Sequence, residues 1–215
     1  AIHNGQSWSN VFRYETKDDQ ASGYYEMGLL NILLEWGIKP SDIHLIGVRS
    51  VVPDLNNKIL QAIHNTLNVS PVLITPEFLM ELDMKVPRPY EIGTDLVANA
   101  YAAIKKYQSN AIVVDFGTAL TFTVVDKIEG IKGVTIAPGL KTALQALSGN
   151  TAQLPLVDFA IPASAIGQNT SHAIQAGISI GYKGLIHEII LAIRSELQSE
   201  YKVIATGGLS GFVTS

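Results

Sequence analysis

Residues 91–126 read EIGTDLVANAYAAIKKYQSNAIVVDFGTALTFTVVD, and this stretch decides the fold. Asp95 sits in a Gly93-Thr94-Asp95 turn that opens a helix predicted from Leu96 to Tyr107. Apolar or small residues at 97, 100, 101 and 104 give that helix a face to bury. Twenty residues after Asp95, the apolar strand AIVVD ends in Asp115. The chain then turns through Phe116-Gly117-Thr118 into a second strand, LTFTVVD. The order suits phosphoryl transfer, with a base for an alcohol, a glycine turn for phosphates and a carboxylate for a cation.

The physics of the turn supports that reading without forcing it. Gly117 permits a backbone conformation closed to other residues. Consecutive N–H groups in such a turn form a concave anion site, and Thr118 adds a hydroxyl. Asp115 is an anion beside that site, which makes sense when a cation lies between them. Mg²⁺ takes one or two carboxylates together with phosphate oxygens. Two plainer arrangements fit the same residues: a β-hairpin with Asp and Gly in its turn, and a helix capped by Thr94 or Asp95. A protein-kinase DFG reading fails, because no Gly-rich loop, strand lysine motif or catalytic-loop motif accompanies it.

Composition narrows the partners. The chain has 215 residues, 47% hydrophobic and 16% charged, enough to bury one large core or two small ones. Net charge is −4 with no long basic run, which argues against nucleic acid. Cysteine is absent, so disulfides and thiolate chemistry are excluded, in keeping with a cytoplasmic location. No uninterrupted apolar stretch reaches the roughly 18–20 residues of a membrane span. The five histidines show no metal-ligand spacing. The chain opens within a strand-like pattern, NVFRYET at 10–16, and stops just after a strand-to-glycine turn, GGLSGFVTS, so it reads as a fragment.

Outward from the central stretch, an α/β rhythm appears. An amphipathic helix over Tyr24–Trp36 puts Leu29, Ile32, Leu33 and Trp36 on one face, with Gly37 as a stop. IHLIGV at 43–48 and PVLIT at 71–75 are strands around a helix at 54–67. Pro87 and Pro89 mark a joint. Strands follow at 111–116, 120–125 and 131–136, then the Pro138-Gly139 turn, a short helix at 141–147, a long helix from Thr170 to Leu197 and a last strand, KVIA, entering Thr206-Gly207-Gly208. Asp126, ending the second strand, faces either a cation or its own turn. Gly177, Gly181 and Gly184 share one face of the long helix with Ala173. Glycine weakens a helix by up to about 1 kcal/mol per position, so three on one face point to a close backbone approach. The partner is either the protomer's own sheet, or a second subunit or a nucleotide.

Several ordered motifs resemble the type III pantothenate kinase (Bvg accessory factor) family. They are EIGTDLVANAYAA, VVDFGTALTFTVVD, IAPGLKTALQAL, TAQLP, IGQNTSHAIQAGISIGYKGLI and IATGG, with SVVP at 50–53 and PSDIHLIGV before them. The resemblance implies an α/β actin-like ATPase fold (acetate and sugar kinase/Hsp70/actin, ribonuclease H-like) with two related subdomains, at 1–88 and 89–215. It implies ATP-dependent phosphorylation of pantothenate, the first step toward coenzyme A, with Mg²⁺ and a monovalent cation (K⁺ or NH₄⁺). Asp95 matches the family's general base and Asp115 its monovalent-cation ligand. Gly93, Thr94, Asp95 and Leu96 lie on its substrate loop. Gly117 and Thr118 match its ATP contact, and Gly207 and Gly208 its adenosine-side motif. Thr170 matches a pantothenate contact supplied across a homodimer. The chain departs from the family's pattern in starting after a D-x-G-N-T phosphate loop. It also has Leu96 where Arg is usual and Val86 where Tyr is usual. A non-catalytic Bvg accessory factor-like regulator, or an actin-like kinase for another small molecule, would suit such departures.

Overall fold

A computed structural model describes residues 1–9, 11–12, 20–49, 53–151 and 153–213. Most of the NVFRYET and all but Pro53 of the SVVP motif therefore lie outside the described residues, as does Ala152 of TAQLP. The chain divides into two compact units, Ala1–Phe78 and Leu79–Ser215.

In the first unit, helix α1 (Ser22–Glu35) carries its apolar face through Tyr25, Gly28 and Leu33, all buried. Gly37, at φ 65°, ends it in the left-handed region that glycine enters at no steric cost. Strand β1 (Gly47–Val48), helix α2 (Pro53–Leu67) and strand β2 (Val72–Leu73) form a β-α-β unit, with the two strands parallel. The strands are much shorter than expected over 43–48 and 71–75. Leu45 is 78% exposed and Pro76 starts the short helix α3 (Pro76–Met80), so the ladder has no room to extend. Asn65 donates to Glu26 at 2.8 Å, tying α2 to α1.

The second unit is built on a mixed four-stranded sheet in the order β5-β4-β3-β6. Helix α4 (Thr94–Tyr107) leads into β3 (Ala111–Phe116), which pairs antiparallel with β4 (Ala119–Asp126) and parallel with β6 (Lys202–Thr206). Strand β5 (Gly130–Pro138) pairs with β4. Helices α5 (Leu140–Gly149) and α6 (Thr170–Glu196) follow. Strand β3 is buried along nearly its whole length, as expected of a strand covered on both faces.

Alternation along the strands makes the two faces of the sheet chemically different. Ile112, Val114 and Phe116 of β3 with Leu120, Phe122 and Val124 of β4 form the main apolar core, which includes Leu140 of α5 and Tyr182 and Ile186 of α6. The odd-numbered residues of the same strands, including Val113, Asp115, Thr121 and Thr123, point to the opposite face, where α4 lies.

The segment before α4 belongs to the second unit. Ile131 donates its N–H to the Lys85 carbonyl at 3.0 Å. Gly130, at φ 80°, sits where a Cβ would collide with the Lys85 backbone. The Pro87–Pro89 joint thus falls about ten residues inside the unit rather than at its edge.

Helix α6 is long and apolar enough, by length and composition, to cross a membrane, with a mean hydropathy of 1.4 in its most apolar stretch. One face is buried through Ile174, Ala176, Ser179, Tyr182 and Ile186. The other face is exposed and carries small and apolar residues beside Lys183, His187 and Glu188. Gly177, Gly181 and Gly184 are exposed, and a Cβ built on any of them meets no atom within 4 Å. The three glycines therefore do not serve packing on the protomer's own sheet.

Candidate active site

The end of β3 places the first acidic group. Asp115 points away from the apolar core toward α4, and it is only partly exposed. The Asn99 side-chain amide donates to Asp115 Oδ2 at 2.8 Å. Burial raises the Asp115 carboxyl above its ordinary value. The Asn99 amide pulls it back down, and the charge of Asp95 raises it again. Asp95 and Asp115, twenty residues apart in sequence, therefore belong to one electrostatic site.

Helix α4 begins at the Gly-Thr-Asp turn with Gly93 as its N-cap, and no side chain caps it. The N-cap position thus falls on Gly93 and not on Thr94 or Asp95. Thr94 and Leu96 are inside the helix and buried, whereas Asp95 is exposed in the first turn, where the helix dipole favours a negative charge. A Cβ at Gly93 would stand 2.5 Å from Asp95 Oδ1, so the carboxylate lies back over the glycine. Leu96 is 7% exposed and its N–H donates to the Gly93 carbonyl at 3.0 Å. Position 96 thus braces the loop and presents no polar side chain to a substrate.

The turn after β3 differs from the expected anion cradle. Gly117 is not in the left-handed region, and its N–H is taken up by the Ala119 carbonyl at 3.1 Å. The Thr118 carbonyl accepts from the Gly139 N–H at 3.0 Å and from Thr142 Oγ1 at 2.7 Å. Gly139 is so close that a Cβ would collide with the Gly117 and Thr118 carbonyls. Tyr182 Oη holds the same turn from α6 by donating to the Pro138 carbonyl at 2.8 Å. Residues 117–119 remain exposed, so the Thr118 hydroxyl stands at the surface of a rigid turn. The glycine with the left-handed backbone is Gly207, at φ 91°. A Cβ there would stand 2.5 Å from Asp115 Oδ1 and 2.7 Å from the Phe116 nitrogen. Gly207 and Gly208, both exposed, therefore lie at the Asp115 end of the sheet.

Two residues of this cluster went unremarked in the sequence. Asn99 lies four residues after Asp95, on the same helical face, and that spacing was visible. Thr121 pairs directly with Asp115 across β4, and Thr206 pairs with it across β6. Directly paired residues share a sheet face with Cβ atoms about 4.5–5.5 Å apart. Thr121 is 8% exposed and its Oγ1 is buried with no hydrogen-bond partner. A hydroxyl orphaned beside a carboxylate suits a hard cation, which binds oxygen ligands. Among the described residues no group of three or more His, Asp or Glu side chains gathers. A cation here would draw on one or two carboxylates, on hydroxyls and on the phosphates themselves.

Asp126 serves its own turn. Its Oδ1 accepts from the Ile128 and Glu129 N–H groups at 2.8 and 3.0 Å. The Glu129 N–H is the main reason its carboxyl is held below the ordinary value. Thr170 is exposed at the first turn of α6, where Asn169 caps the helix by accepting from the His172 N–H at 2.9 Å. Helix α6 covers the sheet face opposite Asp115. Thr170 lies twelve residues from Tyr182, about 18 Å along the helix.

Two substitutions test this chemistry through stability. A carboxyl whose folded value is raised binds its proton more tightly when folded, so its ionised form opposes folding above that value. Asp115→Asn is expected to raise the melting temperature at pH 7, and the gain should vanish below the ordinary carboxylate range near pH 3.8. A gain that persisted at low pH would assign it to something other than charge. Thr121→Val replaces the orphaned hydroxyl by a methyl group. It is expected to stabilise the protein by about 1 kcal/mol while weakening the rise in melting temperature produced by potassium chloride with nucleotide. Lower stability would mean that the hydroxyl is bonded in solution.

Comparison with known proteins places the chain among its relatives. The type III pantothenate kinase family profile matches residues 1–192. A type III pantothenate kinase from Treponema pallidum (strain Nichols) is 46% identical over 170 residues, covering 78% of this chain. The chain spans 62% of that relative's length. Type III pantothenate kinases from Myxococcus xanthus and Geobacillus kaustophilus are each 34% identical over 214 residues, 100% of this chain and 84% and 83% of their own lengths. Likeness of this extent, running the length of the sequence, shows that the chain belongs to the type III pantothenate kinase family.

Proposed function

We propose that the protein transfers the γ-phosphoryl group of ATP to the primary hydroxyl of pantothenate, giving 4'-phosphopantothenate at the first step toward coenzyme A. Family membership supports the reaction. The observation that carries it to residues is the pairing of an exposed Asp95 with a half-buried Asp115 in one electrostatic site. We infer the family's actin-like fold as its frame, with two related subdomains, in a cytoplasmic enzyme that uses neither membrane nor nucleic acid.

In this reading Asp95 accepts the hydroxyl proton as the pantothenate oxygen bonds to the γ-phosphorus and the bond to the ADP oxygen breaks. Its exposed place in the first turn of α4 lets it reach a substrate lying over Gly93 and Thr94. Asp115 holds a negative charge at the mouth formed by Gly117, Thr118, Gly207 and Gly208, where the phosphates are read to lie. A monovalent cation at Asp115 and Mg²⁺ on the phosphates would supply the positive charge that phosphoryl transfer needs. Leu96 and Val86 remove two polar contacts usual in the family, so pantothenate would rest more on the main chain and on Thr170.

We propose further that Thr170 acts across a homodimer formed on α6. Only 22% of the most apolar stretch of α6 is buried. Its open face is lined by Ala173, Gly177, Gly181 and Gly184, with Ile180 51% exposed and Leu191 46% exposed. A second copy of the helix would cover that face and bring Thr170 to the partner's substrate.

Asp95→Asn tests the base. Phosphorylation of pantothenate, followed with labelled ATP in potassium or ammonium buffer, is expected to fall by about 10² to 10⁴ with nucleotide affinity little changed. Turnover within about twofold of wild type would leave Asp95 no catalytic role. Gly181→Leu tests the dimer. The space around Gly181 is open within the protomer, so the fold is expected to survive. Overpacking at a helix–helix contact costs about 1 to 3 kcal/mol. Sedimentation is expected to show more monomer, with activity lost in proportion. A variant that stays dimeric and fully active would place the subunit contact elsewhere.

A further inference from the structure

We propose that Asn99 is the positioning residue of this site: its side-chain amide holds one oxygen of Asp115 and so turns the other toward the glycine turns at 117 and 207. The inference rests on the reading of Asp115 as the charge facing a cation beside the phosphates, and it says what makes that charge usable.

The two oxygens of Asp115 have different surroundings. Oδ2 accepts from Asn99 Nδ2 at 2.8 Å. Oδ1 lies on the glycine side, where a Cβ at Gly207 would stand 2.5 Å away and one at Gly117 would stand 4.0 Å away. A carboxylate turns easily about its terminal torsion, which has broad minima. The amide removes that freedom at one oxygen and leaves the other directed at the open turn. Asn99 also lies one helical turn after Asp95, so the same bond anchors the base-bearing end of α4 to β3.

The residue type fits this task. A lysine or arginine at 99 would neutralise Asp115 and compete with any cation for it. An aspartate would add a third negative charge beside Asp95 and Asp115. A neutral donor fixes the carboxylate and leaves its charge available. Core packing does not explain the choice. Asparagine is a weak helix former in a helix interior, and Asn99 is only partly buried. It borders a cavity of about 210 Å³ with Ala103, Lys106, Val113, Ile204 and Thr206.

The test uses Asn99→Ala and the isosteric Asn99→Asp. Each is compared with wild type and Asp115→Asn in two assays: binding of a fluorescent ATP analogue as potassium chloride is titrated, and steady-state phosphorylation of pantothenate. Groups that orient a metal ligand typically change metal affinity 10- to 100-fold when removed. For Asn99→Ala the potassium concentration giving half-maximal nucleotide binding is expected to rise about tenfold or more. KM for ATP should rise with it, and kcat should change less. Asn99→Asp should be worse than Asn99→Ala despite its equal size. Nucleotide binding with wild-type potassium dependence in both variants would overturn the inference, whatever happens to melting temperature. If Asp115→Asn itself kept wild-type potassium dependence, the reading of Asp115 would fail, and the role of Asn99 with it. If Asp115→Asn lost that dependence and the Asn99 variants did not, only the inference would fail.

Discussion

A negative charge kept partly out of water at the end of a sheet strand is the constraint on which the site depends. Asp115 stands where β3 leaves the sheet, and burial opposes its ionised form. Such a group persists only when its surroundings favour the charge or its function requires it. Among the described residues the surroundings supply one neutral side-chain donor, Asn99, and they also place a second carboxylate, Asp95, near enough to repel it. The described side chains leave the charge of Asp115 only partly offset, and the proposed cation would offset the rest. The orphaned hydroxyl of Thr121, paired in register with Asp115, adds an oxygen at the same place.

The sheet makes this possible by separating two tasks. Its even-numbered face on β3 and β4 is apolar and fastened by α6, down to the Tyr182 bond that pins the Pro138-Gly139 turn against Gly117 and Thr118. Its odd-numbered face is free to become polar toward the end of β3. Rigidity on one side thus holds chemistry on the other. The outer face of α6, small and exposed, belongs to neither task, and for that reason it is read as a subunit contact.

Much of this was legible in the sequence because it follows from period and punctuation. The β3–β4 hairpin, α4 and α6 show their periodicities over eight or more residues or end in a glycine, and the carboxylates at 95 and 115 stand at their ends. The strands around α2 were overextended, because apolar runs at 43–48 and 71–75 look alike whether or not a partner strand is long enough to pair with them. The left-handed glycine of the site is not the one that the sequence suggests. Gly117 looked like the left-handed residue, yet a local bond to Ala119 settles it elsewhere, and Gly207, from the far end of the chain, has the unusual backbone. Thr121 was hidden because its neighbour Asp115 is fixed by strand register, which spacing alone does not give. Asn99 was accessible in principle, one turn from Asp95, but what its amide grips lies on another element.

The most direct measurement is anomalous diffraction from crystals grown in a thallium salt with ATP and Mg²⁺, since thallium replaces potassium and scatters strongly. A thallium peak is expected within coordinating reach of an Asp115 oxygen and beside the nucleotide phosphates, with Asn99 still donating to the other oxygen. A well-ordered nucleotide with no thallium at Asp115, or an Asp115 closed against a lysine or arginine, would contradict it.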